Sequence, residues 1–302
     1  MARKSGVSLC ALNITTHPHS PLQYYNIFLE AFKERGRAKI RGDQVGTIGT
    51  FNHINPEKHL DGIYGYIYKF TDITDAEWYN LKKDDNASVE DINAINIPDY
   101  LKPNFVKYHY AFYPNKHRFI FEALNSQRSI SPNSMANILL DLLNSKTILE
   151  KFPECQVVIE QAKEGLYKIL KVQVLTNLEI LINRPNADVN NEEEEEVLRR
   201  LENQNTATLY TEYKAAKGQS IKPDKKTLGM ARVAISNGYV KAKGKNIDGE
   251  VIPPESTLEH PQFCNYRIDS TKENYLEKFF VKSNDMLNAI QEKQNEDIET
   301  NV

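Results

Sequence analysis

Cysteine is scarce in this chain. Three residues among 302, Cys10, Cys155 and Cys264, stand far apart and form no CxxC pair. An odd, dispersed set argues against a disulfide framework and against a cysteine zinc site. Cys10 and Cys155 sit inside apolar runs and read as small core residues. Long hydrophobic runs are missing too. No stretch approaches the ~20 apolar residues of a membrane span, and the opening Met1-Ala-Arg-Lys-Ser-Gly lacks the apolar segment of a signal peptide. These absences lead us to expect a cytoplasmic protein with no membrane partner.

A surplus of positive charge is also lacking. Lys and Arg number 38 against 41 Asp and Glu, a formal net charge of −3. A nucleic-acid site would therefore have to be a local patch, not a global field. The P-loop, the dinucleotide fingerprint, HExxH, GxSxG and the kinase set are all absent. No cofactor and no bound metal are expected. Gly42-Asp-Gln-Val-Gly46-Thr-Ile-Gly49 is glycine-rich, but its spacing fits no phosphate loop. These glycines are expected to bend a strand or form bulges.

What is present is an ordinary globular balance, 40% hydrophobic and 26% charged, enough for a substantial core. The length suggests about two domains. Residues 7–14 read as a buried strand. Ser20-Pro21 opens a helix, with serine as N-cap and proline at the first position. Leu22, Tyr25, Phe28, Leu29 and Phe32 then recur at helical spacing, and Gly36 is the expected stop. Residues 39–51 and 62–70 read as two strands. In the second, Tyr64, Tyr66, Tyr68 and Phe70 share one face, either buried under a helix or free to stack bases. Residues 72–104 read as a long surface excursion with at most short helices.

Residues 105–123 give the clearest hairpin. A loop over 114–117 sets Phe112 opposite Phe119 and Tyr110 opposite Phe121 on a buried face. The same register sets His109 opposite Glu122 and Tyr113 opposite Arg118 on the other face, expected to be solvated, with Arg118 a candidate for binding an anion or nucleic acid. Ser131-Pro132 opens a second helix with Met135, Ile138, Leu139 and Leu142 as its stripe. A strand at 155–160, a helix at 165–172 and a strand at 175–183 follow. Glu192 to Glu196 read as a solvated helix start, its acids favoured at the positive dipole end. A strand is expected near 209–213. Asn237-Gly238 then predicts a second hairpin, 232–236 against 239–243.

The two Ser-Pro helices resemble each other. Asn26, Ile27 and Leu29 recur as Asn137, Ile138 and Leu140, and Ala11-Leu-Asn upstream recurs as Ala123-Leu-Asn. This pattern predicts an α+β fold: an antiparallel sheet with duplicated ferredoxin-like strand–helix–strand units. The expected division is residues 1–186 for that domain, 187–205 for an acidic helical linker, and 206–302 for a smaller C-terminal hairpin-and-helix region.

Three surfaces could carry chemistry. The loop Thr15-Thr-His-Pro-His-Ser20 holds His17 and His19 before a helix N-terminus, where anions are attracted. Its counterpart carries Arg128, and the three residues are expected to cluster. Plain capping of two helices explains the same serines and prolines. His109 and Glu122 could be a base and its orienting carboxylate, or an ordinary cross-strand pair. In the second hairpin, Ile235–Val240 and Val233–Ala242 would face the core. Arg232, Lys241, Lys243 and Lys245 would then form a basic ribbon, or merely guard an edge strand.

Ala11-Leu-Asn-Ile-Thr-Thr-His-Pro-His-Ser-Pro21, Lys39-Ile-Arg-Gly-Asp43 and Asn183-Arg-Pro-Asn186 resemble a bacterial family known as a domain of unknown function. The resemblance covers the chain to about residue 270 and brings no mechanism. It implies an association with mobile or defence islands. A weaker analogy links the inferred topology and loop histidines to duplicated ferredoxin-like RNA-processing proteins of CRISPR systems, although their Gly-rich C-terminal loop is not seen. The functional expectation is a nucleic-acid-binding protein, for RNA or single strands, in antiphage defence or a stress response. Two alternatives stand beside it. One is a metal-independent ribonuclease using His17, His19 or His109. The other is a non-catalytic protein-interaction subunit. Whether the chain is an enzyme stays open.

Overall fold

In the computed structural model the described residues are 5–74, 76–126, 128–186, 192–269 and 271–295. Residues 187–191 of the expected linker lie outside them, as do the two ends, 1–4 and 296–302.

β1 (Ser5–Thr16) is the strand around which the molecule is assembled, and every residue from Leu9 to Thr16 is buried. Burial on both faces is what its near-continuous apolar run demands. α1 (Pro21–Glu34) follows, capped by Ser20, whose side chain accepts from the Gln23 amide. The helix stops at Arg35, which takes the left-handed conformation at φ 56°, so Gly36 is not its terminator. The segment read as one bent strand is a hairpin, β2 (Ala38–Arg41) and β3 (Gln44–Ile48). Gly42, at φ 54°, makes the turn that other residues rarely accept. β4 (Asn52–His53) and β5 (Ile63–Thr71) complete this part. The excursion after β5 holds only β6 (Tyr79–Asn80), β7 (Asp85–Asn86) and α2 (Val89–Asn93) among its described residues.

β8 (Val106–Tyr113) and β9 (Arg118–Asn125) pair in the predicted register, Phe112 with Phe119, Tyr110 with Phe121 and Tyr113 with Arg118. β10 (Arg128–Ser129), α3 (Pro132–Leu143), α4 (Lys146–Leu149) and β11 (Cys155–Ile159) continue the chain. The first sheet is antiparallel, in the order β11-β1-β9-β8-β5-β3-β2. α1 and α3 pack on one face of it, burying Ile27, Phe28, Ile138 and Leu139 against Tyr110, Phe112 and Phe119. The crossovers they make differ. α3 joins β9 to β11, parallel strands on either side of β1, whereas α1 joins β1 to β2, which is antiparallel to it and lies beyond β9, β8, β5 and β3.

α5 (Lys163–Leu170) leads to β12 (Val174–Asn183), α6 (Glu192–Asn203) and β13 (Thr208–Lys214). β12, grouped on sequence with the first unit, is an inner strand of a second sheet of order β13-β12-β14-β15. The expected second hairpin does not form. Its first half belongs to α7 (Lys225–Asn237), capped by Asp224, and β14 (Gly238–Lys245) pairs with β12 instead. Leu228, Ala231 and Ile235 carry the helical spacing that wins. Gly238 is a helix-to-strand junction, where a Cβ would stand 1.9 Å from the Leu181 carbonyl oxygen. α6 is not a bare linker, since Val197 and Leu201 join α5 and α7 in covering one face of this sheet.

β15 (Glu255–Ser256), β16 (Phe263–Ile268) and α8 (Tyr275–Asn295) close the chain. β16 pairs with residues 5–10 of β1, and α8 lies on the face of the first sheet opposite α1 and α3, burying Phe279, Met286 and Ile290. The face of the β8–β9 hairpin expected to meet solvent is therefore covered. Tyr64 of the aromatic stripe meets Phe280 of α8 edge-on, with ring centroids 5.2 Å apart.

Candidate functional site

Antiparallel pairing places the end of β1 beside the start of β9, with Asn13 opposite Arg118. The β8–β9 turn, the segment after β12, the first turn of α6 and α8 converge there around a cleft of about 720 Å³. Lys116, His117, Arg118, Asn186 and Glu194 line it, with Asn288 of α8 among the rest.

Asn13 organises this end. It is 1% exposed, and its Nδ2 donates to the Ser236 carbonyl oxygen at 2.9 Å. Oδ1 must then be the acceptor, and it lies 2.7 Å from His117 Nδ1 and 2.6 Å from Arg118 Nη1. Arg118 Nη1 also approaches His117 Nδ1, so that ring nitrogen faces both the Asn13 amide oxygen and a guanidinium donor. His117 also takes the left-handed conformation, at φ 42°, which is uncommon outside glycine and clusters at functional sites.

His19 is held in the same way. Tyr24 donates its hydroxyl to Asn186 Oδ1 at 2.7 Å and is 2.9 Å from His19 Nδ1. The rings of His19 and His117 meet edge-on, 5.7 Å between centroids. Asn186 is 2% exposed, and its Nδ2 has no hydrogen-bond partner among the described residues. Whichever way the amide is turned, one of its two polar atoms is left over. His17 points elsewhere, with Nε2 3.3 Å from the Arg184 carbonyl oxygen, and burial lowers its pKa.

Beneath the cleft lies a buried charge cluster. Glu160 forms an ion pair with Arg118 Nε at 2.7 Å and accepts from Lys293 Nζ at 2.8 Å and Ser236 Oγ at 2.9 Å. Burial pushes the Glu160 carboxyl up, but the two cations outweigh it and hold the group below its ordinary value. Arg118, a sequence candidate for anion binding, is largely spent on this carboxylate and on Asn13. Glu194 accepts from Asn237 Nδ2 at 2.8 Å.

The other predicted residues go to different places. Glu122 is fully buried. One of its oxygens receives the His109 amide and Nδ1, both at 3.1 Å, and Asn125 Nδ2 at 2.8 Å. The other receives the Tyr275 hydroxyl. Both oxygens are engaged, so the pair fastens α8 to the sheet. Arg128 does not join His17 and His19. Loops that follow neighbouring antiparallel strands leave from opposite ends, and Arg128 sits beside Asn125 at the far end of β9.

Arg232 is on α7, paired with Glu193 of α6, and leaves the expected ribbon. Lys241, Lys243 and Lys245 do share one face of β14, together with Tyr239. It is the face of the second sheet opposite its helices. Pairing there sets Leu181 between Tyr210 and Tyr239, Glu179 between Glu212 and Lys241, and Asn177 between Lys214 and Lys243. Lys241 Nζ stands 4.4 Å from the centre of the Tyr239 ring.

The family described as a domain of unknown function, DUF4747, matches residues 6–283. The chain belongs to this family. The match spans both sheets, the two loop histidines, His117 and Asn186, and ends within α8. No curated protein matches the chain. Among the described residues, no helix is long and apolar enough to cross a membrane.

Proposed function

We propose that this protein binds single-stranded nucleic acid, RNA foremost, on the outer face of its second sheet. The observation that carries the reading is that face itself. Tyr210, 52% exposed, and Tyr239 flank Leu181, and Lys214, Lys241, Lys243 and Lys245 stand on the same side. Aromatic rings on an open sheet stack unpaired bases, and lysines beside them take the phosphates. Four lysines against Glu179 and Glu212 give the face a positive balance within an acidic chain. A place in antiphage defence or a stress response is part of the same proposal, and rests on the family resemblance alone.

Oligonucleotide titrations test it. Changing Lys241, Lys243 and Lys245 to Gln should leave folding intact, weaken binding, and lower the salt slope by about 0.7 for each phosphate no longer neutralised. Affinity and slope unchanged from the parent protein would reduce the lysines to guards of the sheet.

A second reading, a protein-interaction subunit, is favoured by the excursion after β5. It exposes Leu81 at 88%, Tyr100 at 84% and Val89 at 70%. Apolar side chains gathered on one exposed segment mark contact surfaces. Changing these three to Ser should release a bound partner without altering oligonucleotide affinity.

A further inference from the structure

Binding on the outer sheet face leaves the large cleft at the end of β1 unexplained. We infer that this cleft is a nucleobase pocket, which takes one unpaired base and reads its edge through a set of carboxamides. The inference stands apart from the reading above, because it uses none of the residues of the sheet face.

Three observations carry it. The first is the lining. Asn115 of the β8–β9 turn, Asn186 after β12, and Asn284, Asn288 and Gln291 of α8 all line the cleft. The three on α8 stand at i, i+4 and i+7, so they share one side of the helix. They form a row separate from Phe279, Met286 and Ile290, which pack on the first sheet. A carboxamide sets a donor and an acceptor side by side in one plane. The edge of a base does the same, so the two can form a pair of hydrogen bonds at once. The hydroxyls of a sugar offer no such planar pair.

The second is Asn186. It is 2% exposed, and its Oδ1 accepts from the Tyr24 hydroxyl. Its Nδ2 has no hydrogen-bond partner among the described residues. Buried polar groups are ordinarily satisfied, and leaving one unpaired costs stability. On the wall of a cleft, a ligand completes it. As a donor it meets a ring nitrogen or a keto oxygen of the base.

The third is charge and shape. Lys116 and Arg118 on the wall balance Asp61 and Glu194, and Arg118 is already paired with Glu160. A neutral heterocycle suits this balance better than a phosphate does. Tyr113, Leu287 and Ile290 give the wall an apolar part, on which the flat face of a ring can lie. At about 720 Å³ the cleft also has room for the attached ribose. Unstacked bases are read in this manner, by their edges and their faces together.

The base can arrive as a free nucleoside or on a strand. The test titrates the full chain with adenosine, guanosine, cytidine and uridine, with calorimetry as the readout. One nucleoside should bind saturably, about 10-fold or more tighter than the weakest of the others. Its 5′-triphosphate should bind no tighter. Asn288→Ala and Gln291→Ala, at exposed positions of α8, should each weaken that nucleoside about 10-fold. Asn186→Asp keeps an acceptor for Tyr24 but removes the donor, and should weaken it too. Thermal melts show whether that buried variant folds, and the α8 variants carry the test if it does not. Changing Lys241, Lys243 and Lys245 to Gln should leave nucleoside affinity unchanged. An oligonucleotide that displaces the nucleoside assigns the base to a strand, and one that does not assigns it to the free nucleoside. Oligonucleotides that fail to bind at all overturn the sheet-face reading and leave the pocket standing. No nucleoside binding at millimolar concentration overturns the inference. Equal affinity for all four, binding that survives the carboxamide substitutions, or a disaccharide that binds tighter overturns it as well.

Discussion

Asn13 and His117 fix one another: the amide oxygen of the strand residue lies 2.7 Å from Nδ1 of the turn residue. Removing the amide should free the ring. In Asn13→Leu, Arg118 also loses an acceptor in a buried setting, which costs about 1–3 kcal/mol. Nitrogen NMR of the His117 ring should then show ring resonances shifted from those of the parent protein. Unchanged ring resonances would remove Asn13 from its positioning role.

Glu160 should be the most costly polar residue to neutralise. Glu160→Gln leaves Arg118 and Lys293 buried without their counter-charge, and breaking such an arrangement costs about 3–5 kcal/mol. Adding Lys293→Met to Glu160→Gln should recover part of the loss, because one buried cation goes. Denaturant unfolding measures both. A double variant no better than the single one would contradict the account.

Gly238→Ala and Gly6→Ala make a paired comparison. At Gly238 a Cβ would press on the Leu181 backbone, and overpacking of that kind costs about 1–3 kcal/mol. At Gly6 a Cβ would meet nothing within 4 Å. Its substitution should fall within about 0.5 kcal/mol of the parent protein. Denaturant midpoints of the two variants check the difference.

His17 and His53 predict a pH dependence. Burial lowers both below the ordinary value of 6.5, and at His53 the neighbouring His59 adds to it. The unfolded chain therefore binds protons that the folded chain refuses. Stability should fall as pH drops below about 6.5 and level off beneath the folded-state values. The carboxylates held low by partners, such as Asp72, give up their contribution only below their ordinary 3.8. His17→Gln should flatten the upper part of the curve. A curve flat from pH 7 to pH 5 in the parent protein would disprove the assignment.

Some of this is legible in the sequence for identifiable reasons. The β8–β9 register follows from aromatics alternating with period two around a short turn, so local spacing is enough. The Ser-Pro helix starts are equally local. α7 escapes a local reading because Asn237-Gly238 is a strong hairpin signal, and it outweighs the spacing of Leu228, Ala231 and Ile235 behind the Asp224 cap. The cleft is legible only in fragments. His19 and Asn186 fall within the motifs that carry the family resemblance. Their meeting with Asn13, His117 and Glu160 depends on segments more than a hundred residues apart. One clue is there: Asn13 and Glu160 are polar residues set in apolar strand runs, where a lone polar side chain needs a buried partner.

The pairing of β1 with β16 also determines when this protein can exist. Ser5 is partnered by Ile268, almost the whole chain later. On a ribosome adding roughly 5–20 residues per second, the first strand made waits about 13–50 s for the last strand it needs. Until then its apolar face and one hydrogen-bonding edge have no cover. Folding of the first sheet must therefore finish after synthesis, slowly, as pairings of such long separation require. A nascent chain of this design is a natural client for a chaperone, and truncations that omit β16 should accumulate as aggregates.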